Sequence, residues 1–225
     1  MKFALITEGV SEYRIVKHII SRYFKDHEPD INQIQPRILN EKQENPGGWN
    51  EVLKYCERKD LKNILIENDY LVIQIDSDQS EIMPFNVAHT KRGGESKTTE
   101  ELYEEILLRL NGLIQDEIRE LHEKKIFFAI CIHTIECWLL PLYCDNNHKS
   151  DTLNCLGTLN NALYRNNVHK ITGSNKNDAH GKKAYAEILS KMKKKIEITN
   201  AAQHNIGFNK FIESLKSNVV ESAKE

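Results

Sequence analysis

The chain has 225 residues, of which 40% are hydrophobic and 28% charged, and these values are typical of a globular protein with one α/β domain. No apolar run is long enough to cross a bilayer and no signal-peptide cleavage pattern follows the amino terminus, so the sequence predicts a cytoplasmic protein with no membrane partner. The net charge of −2 hides an asymmetry, because residues 151–225 carry 12 Lys and Arg against 7 Asp and Glu. An acidic first part and a basic last part are expected where a metal site adjoins a surface that binds a polyanion.

The five cysteines are odd in number and include no Cys-x-x-Cys pair. This pattern favours reduced thiols that are buried or incidental over a disulfide scaffold. Cys137, Cys144, His148 and Cys155 have a spacing that matches no standard zinc knuckle, so we expect no zinc site there.

Apolar periodicity predicts alternating strands and helices in the first part of the chain. A strand over 3–6 is followed by apolar residues at helical spacing, which predict a helix over 10–25. A short strand is expected within 31–39. The Asn-Pro-Gly-Gly run at 45–48 predicts a loop, and a second helix is expected over 49–59.

The run 70–75 is apolar apart from Gln74, which is typical of a strand covered on both faces. A polar, glycine-bearing segment over 77–99 is expected to be a flexible loop. A long charged helix over 100–123 and a buried strand over 126–132 follow. The alternation predicts an α/β fold, with a Rossmann-like sheet of mostly parallel strands and helices on both faces.

The chain beyond residue 138 shows no further strand pattern and is expected to be helical, with a polar loop at 173–181. We therefore predict a metal-binding catalytic domain over 1–145. A helical, basic C-terminal extension over 146–225 is expected to pack on it.

Two acidic clusters follow two of the predicted strands. Glu8 and Glu12 belong to the segment EGVSE after the first strand, and Asp76 and Asp78 follow the strand 70–75. Because the carboxyl ends of parallel strands share one edge of a sheet, we expect these acids to meet there. Crowded carboxylates repel one another unless a cation neutralises them, and hard oxygen ligands suit Mg²⁺ or Mn²⁺. An Asx turn explains either aspartate alone, but not three strand-end acids together.

Three further residues near this edge are candidates for the site, and two of them have more than one interpretation. Glu12 either ligates the metal or simply favours the first turn of its helix through the macrodipole. Glu136 follows the strand 126–132 and reaches the same edge, so we expect it to take part in catalysis. His133 is either a proton shuttle or a structural histidine at a strand end.

Basic residues supply candidate contacts to a phosphate backbone. Lys182 and Lys183 are candidate catalytic cations that offset charge building on a phosphate. For the lysine run at 193–195, phosphate contact and an ordinary solvated helix face are both open. The candidate nucleic-acid-binding residues are Lys91, Arg92, Lys193, Lys194 and Lys195.

The Glu-Gly after the first strand and the Asp-x-Asp after a later one resemble the topoisomerase-primase (TOPRIM) domain. Members of that family bind magnesium through these acids and cut, join or polymerise nucleic acid strands. The resemblance covers about residues 1–140. Glu8 corresponds to the family glutamate, Asp76 and Asp78 to its paired aspartates, and Glu12 to a further acid found in nuclease-type members.

A second resemblance rests on Gly-Gly-Trp at 47–49 and on HTIECWLLP at 133–141. These segments are similar to prokaryotic TOPRIM-like proteins with a Glu-x-Trp-Leu-Leu segment, which resemble the nuclease part of overcoming-lysogenisation-defect (OLD) phage-defence proteins. The resemblance implies a magnesium-dependent nuclease of anti-phage defence, with DNA as the expected substrate. Such nucleases usually act with an ATPase; this sequence has no Gly-rich phosphate loop, so the ATPase would be a separate chain. Assembly into a homo-oligomer stays open.

Two other functions stay open. Asp76, Ser77 and Asp78 can be interpreted as the nucleophile turn of a haloacid-dehalogenase-type phosphatase, with Asp76 phosphorylated and Asp78 as general acid. That family usually places the motif after its first strand, whereas here an acidic strand end precedes it. The other alternative is a non-catalytic module that keeps the fold and binds a partner protein or nucleic acid.

Overall fold

The computed structural model describes residues 1–39, 42–172 and 178–219. The strands, in chain order, are Lys2–Ile6 (β1), Asp30–Gln35 (β2), Ile38–Leu39 (β3), Lys42–Gln43 (β4), Tyr70–Asp76 (β5) and Ile126–Cys131 (β6). An all-parallel sheet has the order β2-β1-β5-β6, and β3 pairs with β4 in an antiparallel ribbon. The predicted α/β fold with a mostly parallel sheet is confirmed.

The helices lie between and after the strands. In chain order they are Val10–Tyr23 (α1), Trp49–Cys56 (α2), Leu61–Glu67 (α3), Thr99–Leu113 (α4), Asp116–His122 (α5), Cys155–Arg165 (α6), Ala179–Leu189 (α7), Lys195–Ala202 (α8) and Ile206–Asn218 (α9). Shorter 3₁₀ helices cover Lys25–His27, Glu123–Lys125 and Ile135–Leu142. Helices thus follow the last strand, as the sequence predicts.

Two predicted elements are divided in the structure, and one helix was not predicted. The strand expected within 31–39 is divided at Pro36, which has no N–H to donate to a neighbouring strand. The helix expected over 100–123 is divided at Ile114, which adopts an extended conformation (φ −78°, ψ 132°) and buries its side chain. Burial overrides helix propensity there. Helix α3 is an element that the sequence analysis did not predict.

The two faces of the sheet are covered by different helices, because successive strand residues point to opposite sides. Phe3 and Leu5 of β1 face a core that includes apolar residues of α1 and α6–α9. Ala4 and Ile6 face a second core formed with α2–α5. Strands β1, β5 and β6 are buried on both faces and apolar almost throughout, which explains the continuous apolar runs in the sequence, whereas the edge strand β2 is polar and partly exposed.

The order in which strands are added to the sheet reverses between β1 and β5, although all four strands are parallel. From β1 it passes through α1 to β2 on one side, and it returns through α2 and α3 to β5 on the other side of β1. The segments that leave the carboxyl ends of β1 and β5 therefore lead to helices on opposite faces of the sheet, α1 and α4. In doubly wound sheets such a switch point is where ligands bind.

The C-terminal helices share the core of the first face. The ring of Trp138 stacks on Phe208 of α9, with ring centroids 4.6 Å apart and an interplanar angle of 4°. Gly207 allows α9 to approach β6 closely, because a Cβ there would lie 1.9 Å from the carbonyl oxygen of Ile130. Residues 173–177 of the predicted polar loop at 173–181 lie outside the described residues, and the end of that segment already belongs to α7. The division at residue 145 stays a prediction.

The expectation that all cysteines are reduced is wrong for two of them. Cys137 and Cys155 form a disulfide with Cα atoms 5.0 Å apart, while Cys56, Cys131 and Cys144 are free and buried. The bond joins the 3₁₀ helix Ile135–Leu142 to the start of α6. The sequence spacing did not indicate it, because the pair depends on how these two elements pack.

No helix within the described ranges is both long and apolar enough to cross a bilayer.

Candidate metal and catalytic site

The predicted acids lie at the switch point between β1 and β5. Glu8 lies two residues after the end of β1, and Asp76 is the last residue of β5, the neighbouring strand. The backbone N–H of Asp76 donates to Oε1 of Glu8 at 2.7 Å. The parallel pairing of the two strands therefore brings together acids that are 68 residues apart in the sequence.

The electrostatics of Asp76 reflect the whole acidic group. Asp76 is 7% exposed, and burial raises the pKa of its carboxyl well above the ordinary value. The carboxylates of Glu8, Glu12, Glu136 and Asp78 raise this pKa further, in that order. The structure thus places the four other sequence-predicted acids within electrostatic reach of Asp76. A divalent cation bound among them would favour the ionised form of Asp76.

Gln74 fixes the two strand-end acids relative to each other. Its side-chain oxygen accepts a hydrogen bond from the backbone N–H of Glu8 at 3.1 Å, and its Nε2 donates to Oδ1 of Asp76 at 2.8 Å. Gln74 is fully buried. The sequence analysis did not assign it a role, although its position as the polar residue of an otherwise apolar strand is a usable signal.

We expect Gln74→Leu to lower the free energy of unfolding by about 1–3 kcal/mol, because Oδ1 of the buried Asp76 loses its donor. Urea unfolding at pH 7 measures the change. Gln203→Leu, at an exposed position, is the matched control and should change stability by less than about 0.5 kcal/mol. Equal stability of Gln74→Leu and the control would show that the bridge from Gln74 does not stabilise the site.

Glu12 folds back over the turn that precedes its helix. It is 7% exposed, and Oγ of Ser11 donates to both of its carboxylate oxygens at 2.9 Å. A Cβ on Gly9 would lie 2.3 Å from Oε2 of Glu12, so glycine makes room for the carboxylate. The position of Glu12 in the first turn also suits the helix dipole. Burial beside Asp76 favours the site interpretation, and metal ligation stays a prediction.

Glu136 lies on the 3₁₀ helix that follows β6 and is 1% exposed. The hydroxyl of Tyr185, on α7, donates to its Oε1 at 3.0 Å. Burial and the charge of Glu136 raise the pKa of Tyr185, so the phenol stays protonated and remains a donor. Sequence reasoning missed Tyr185, because a single tyrosine in a C-terminal helix carries no signal for a contact 49 residues away.

Asp78 is exposed, and its backbone N–H donates to the carbonyl oxygen of His133 at 3.2 Å. Oγ of Ser77 accepts from the N–H of His133, which has a positive φ of 61°. Burial lowers the pKa of His133, and the neighbouring His89, with ring centroids 5.2 Å apart, lowers it further. The negative charge of Asp78 raises the pKa of His133. The neutral form of His133 is therefore favoured beside the acids.

The loop expected to be flexible is folded onto the domain. Phe85 is fully buried and Val87 is 5% exposed. Oγ of Ser80 donates to the carbonyl oxygen of Val87 at 2.8 Å, and an antiparallel bridge joins Thr90 to Ser96. In this loop Nζ of Lys91 forms an ion pair with Glu101 at 2.7 Å, so one predicted substrate cation already has a partner.

The remaining predicted cations separate into two groups. Lys182, Lys193 and Lys194 line a groove that Tyr185 also lines. Lys183 instead acts electrostatically on Glu187, one turn further along α7, and Lys195 lies over the ring of Tyr23 at 4.4 Å from its centroid. Arg92 is exposed in its loop. The structure brings Lys182, but not Lys183, onto the face shared with Tyr185.

Within the described ranges, no three His, Cys, Asp or Glu side chains are already assembled as a metal-binding group. The donor set at the switch point nevertheless fits a hard divalent cation, because it consists of carboxylates around a buried aspartate whose ionisation the others oppose. Comparisons of the chain with protein-family models, with curated proteins and with solved structures found no match.

Proposed function

We propose that this protein is a Mg²⁺- or Mn²⁺-dependent nuclease that cleaves nucleic acid phosphodiesters, with DNA as the expected substrate. The observation that supports the proposal most directly is the buried carboxyl of Asp76, whose pKa is raised by burial and by four neighbouring acids at the switch point. A fold gains little from concentrating negative charge in this way unless a cation binds there. The TOPRIM resemblance of Glu8, Asp76 and Asp78 agrees with this chemistry.

Four of the acids are the proposed metal ligands. Glu8, Asp76 and Asp78 are the residues that would hold the metal, with Glu12 as a further ligand. A bound divalent metal supplies an activated water nucleophile and stabilises the departing oxygen of a phosphodiester. The two hydrogen bonds of Gln74 fix the backbone of Glu8 and the carboxylate of Asp76 relative to each other.

The other polar groups act around these acids. Tyr185 orients the carboxylate of Glu136 by its hydrogen bond, which places Glu136 for a proton transfer or a water contact. Lys182 is the proposed cation for charge on the reacting phosphate, because it shares the groove with Tyr185. The environment of Lys183 beside Glu187 makes it the weaker candidate.

The biological setting follows from the resemblance alone. Similarity to the nuclease part of OLD-type proteins suggests an effector of prokaryotic anti-phage defence that acts in the cytoplasm. A separate ATPase chain would then be its partner.

Incubation of the purified protein with end-labelled DNA and RNA tests the proposal. We expect cleavage of at least one of them with Mg²⁺ or Mn²⁺ and none with EDTA. Cleavage that is equally fast with EDTA would refute the metal-dependent mechanism. Trapping of a phosphate on Asp76 from a small phosphomonoester would instead support the phosphatase alternative. Binding without cleavage of any substrate would support the non-catalytic module.

A further inference from the structure

A basic groove of about 750 Å³ lies between α1 and α7. Cations line both of its sides. From α1 and the turn after it come Arg14, Lys17, Arg22 and Lys25, and from α7 and the residues after it come Lys182, Lys193 and Lys194. Of the described residues that line the groove, none is an aspartate or a glutamate. This is a dense positive surface on a protein with a net charge of −2.

Most of these cations form no salt bridge within the described part of the chain, although Glu197 lies within electrostatic reach of Lys193 and Lys194. Lys17, Arg22, Lys25, Lys182, Lys193 and Lys194 form no ion pair with a carboxylate among the residues that the structure describes. Elsewhere on the surface lysines do find partners, as Lys97 does with Glu105. Like charges held together repel one another, and a bound polyanion removes that repulsion.

The positive surface continues past the end of the groove. A smaller cavity of about 250 Å³ shares Arg22, Lys25, Lys193 and Lys194 with it and adds Lys195, with Asp26 as a single acidic residue on its wall. Along α1 alone, the rise of about 1.5 Å per residue places Arg14 and Arg22 about 12 Å apart. A row of this length suits the closely and evenly spaced charges of a phosphodiester backbone.

The other end of the groove reaches the acidic site. Tyr185 lines the groove while its hydroxyl is hydrogen-bonded to Glu136. Arg14, which also lines the groove, interacts electrostatically with Tyr185 and with Glu12. His18 lies between the cations; its Nε2 is 2.8 Å from the carbonyl oxygen of Met192, and burial lowers its pKa. The groove therefore joins a cationic surface to the carboxylates at the switch point.

We propose that this basic groove, lined by residues of α1 and α7, binds the sugar-phosphate backbone of a nucleic acid strand and leads it to the acidic edge of the sheet. The proposal that the strand is led to the acids rests on the proposed nuclease function, whereas the proposal that the strand binds in the groove does not. The arginines Arg14 and Arg22 suit phosphate in particular, because a guanidinium group can donate two parallel hydrogen bonds to it.

Fluorescence anisotropy with a labelled single-stranded oligonucleotide, in EDTA and over a salt series, tests the groove without any cleavage. The triple variant Arg22→Gln/Lys25→Gln/Lys193→Gln removes three groove cations that form no salt bridge with the carboxylates at the switch point. We expect the slope of log K against log salt to flatten by about 2, since each phosphate contact contributes about 0.7 on a single strand. Affinity should fall about 100-fold at 0.1 M salt.

The matched control is Lys59→Gln/Lys62→Gln/Lys124→Gln, which removes the same charge from exposed lysines outside the groove. It should keep the wild-type slope. Equal losses in both triple variants, or a wild-type slope in the groove variant, would overturn the proposal. Displacement of the oligonucleotide by poly-glutamate as effectively as by unlabelled oligonucleotide would assign the groove to an acidic protein instead. Circular dichroism melting checks that both variants are folded.

The two proposals can fail separately. If the oligonucleotide binds in the groove but no metal supports cleavage, the nuclease proposal fails and the groove assignment stands. If the wild type cleaves and the groove variant cleaves with an unchanged KM, the acids are catalytic and the groove assignment fails.

Discussion

Asp76→Asn should lower the rate of metal-dependent cleavage by at least about 10²-fold, the loss seen when a single electrostatic stabiliser is removed from an active site. The substitution removes the charge at the centre of the acidic group while Oδ1 can still accept the hydrogen bond from Gln74. Glu8→Gln should have a similar effect, because it keeps the acceptor for the N–H of Asp76 and loses only the charge. Single-turnover cleavage of a labelled substrate measures both.

Glu117→Gln is the control for these variants, since Glu117 is an exposed acid on α5, on the other face of the sheet from α7. Its cleavage rate should equal that of the wild type. A wild-type rate in both Asp76→Asn and Glu8→Gln would remove these acids from the mechanism. A parallel loss in Glu117→Gln would point to a general effect of net charge.

Asp76→Asn should also be more stable than the wild type at pH 8 in EDTA. The folded-state pKa of Asp76 is raised above its ordinary value of 3.8, so the folded protein holds this proton more tightly than the unfolded chain does. The stability of the wild type therefore falls as the pH rises from about 3.8 through the raised pKa, and stays low above it. Asparagine does not titrate, so the stability of the variant does not fall with rising pH for this reason.

Urea unfolding at several pH values measures the effect. The midpoint of Asp76→Asn should exceed that of the wild type at pH 8, and the difference should shrink as the pH falls towards 4. Saturating Mg²⁺ should reduce the difference as well, because an ion that binds only the folded wild type stabilises it. A less stable Asp76→Asn at pH 8 in EDTA would contradict the account of a strained, charged carboxylate.

Much of the fold and the acidic part of the site could be predicted from local patterns. The apolar runs of β1, β5 and β6 are nearly continuous because both faces of the sheet are covered, and each run is followed within a few residues by an acid. Parallel pairing then requires Glu8 and Asp76 to share an edge. The break between α4 and α5 was not predictable in the same way, because burial of Ile114 decides it.

The supporting contacts depend on packing between distant elements. The hydrogen bond from Tyr185 to Glu136 and the disulfide between Cys137 and Cys155 form only when the C-terminal helices are in place. The basic groove likewise combines α1 with a segment more than 150 residues later. Sequence singled out the lysine run at 193–195, but it could not separate the groove-lining lysines from Lys195, which lies over Tyr23.

The most direct test of the central claim is a calorimetric titration of the wild type and of Asp76→Asn/Asp78→Asn with Mn²⁺ and with Mg²⁺. The account predicts saturable binding to the wild type and its loss in the double variant, with circular dichroism showing that the variant is folded. Equal binding by the two proteins would contradict the claim that the carboxylates at the switch point hold a divalent cation.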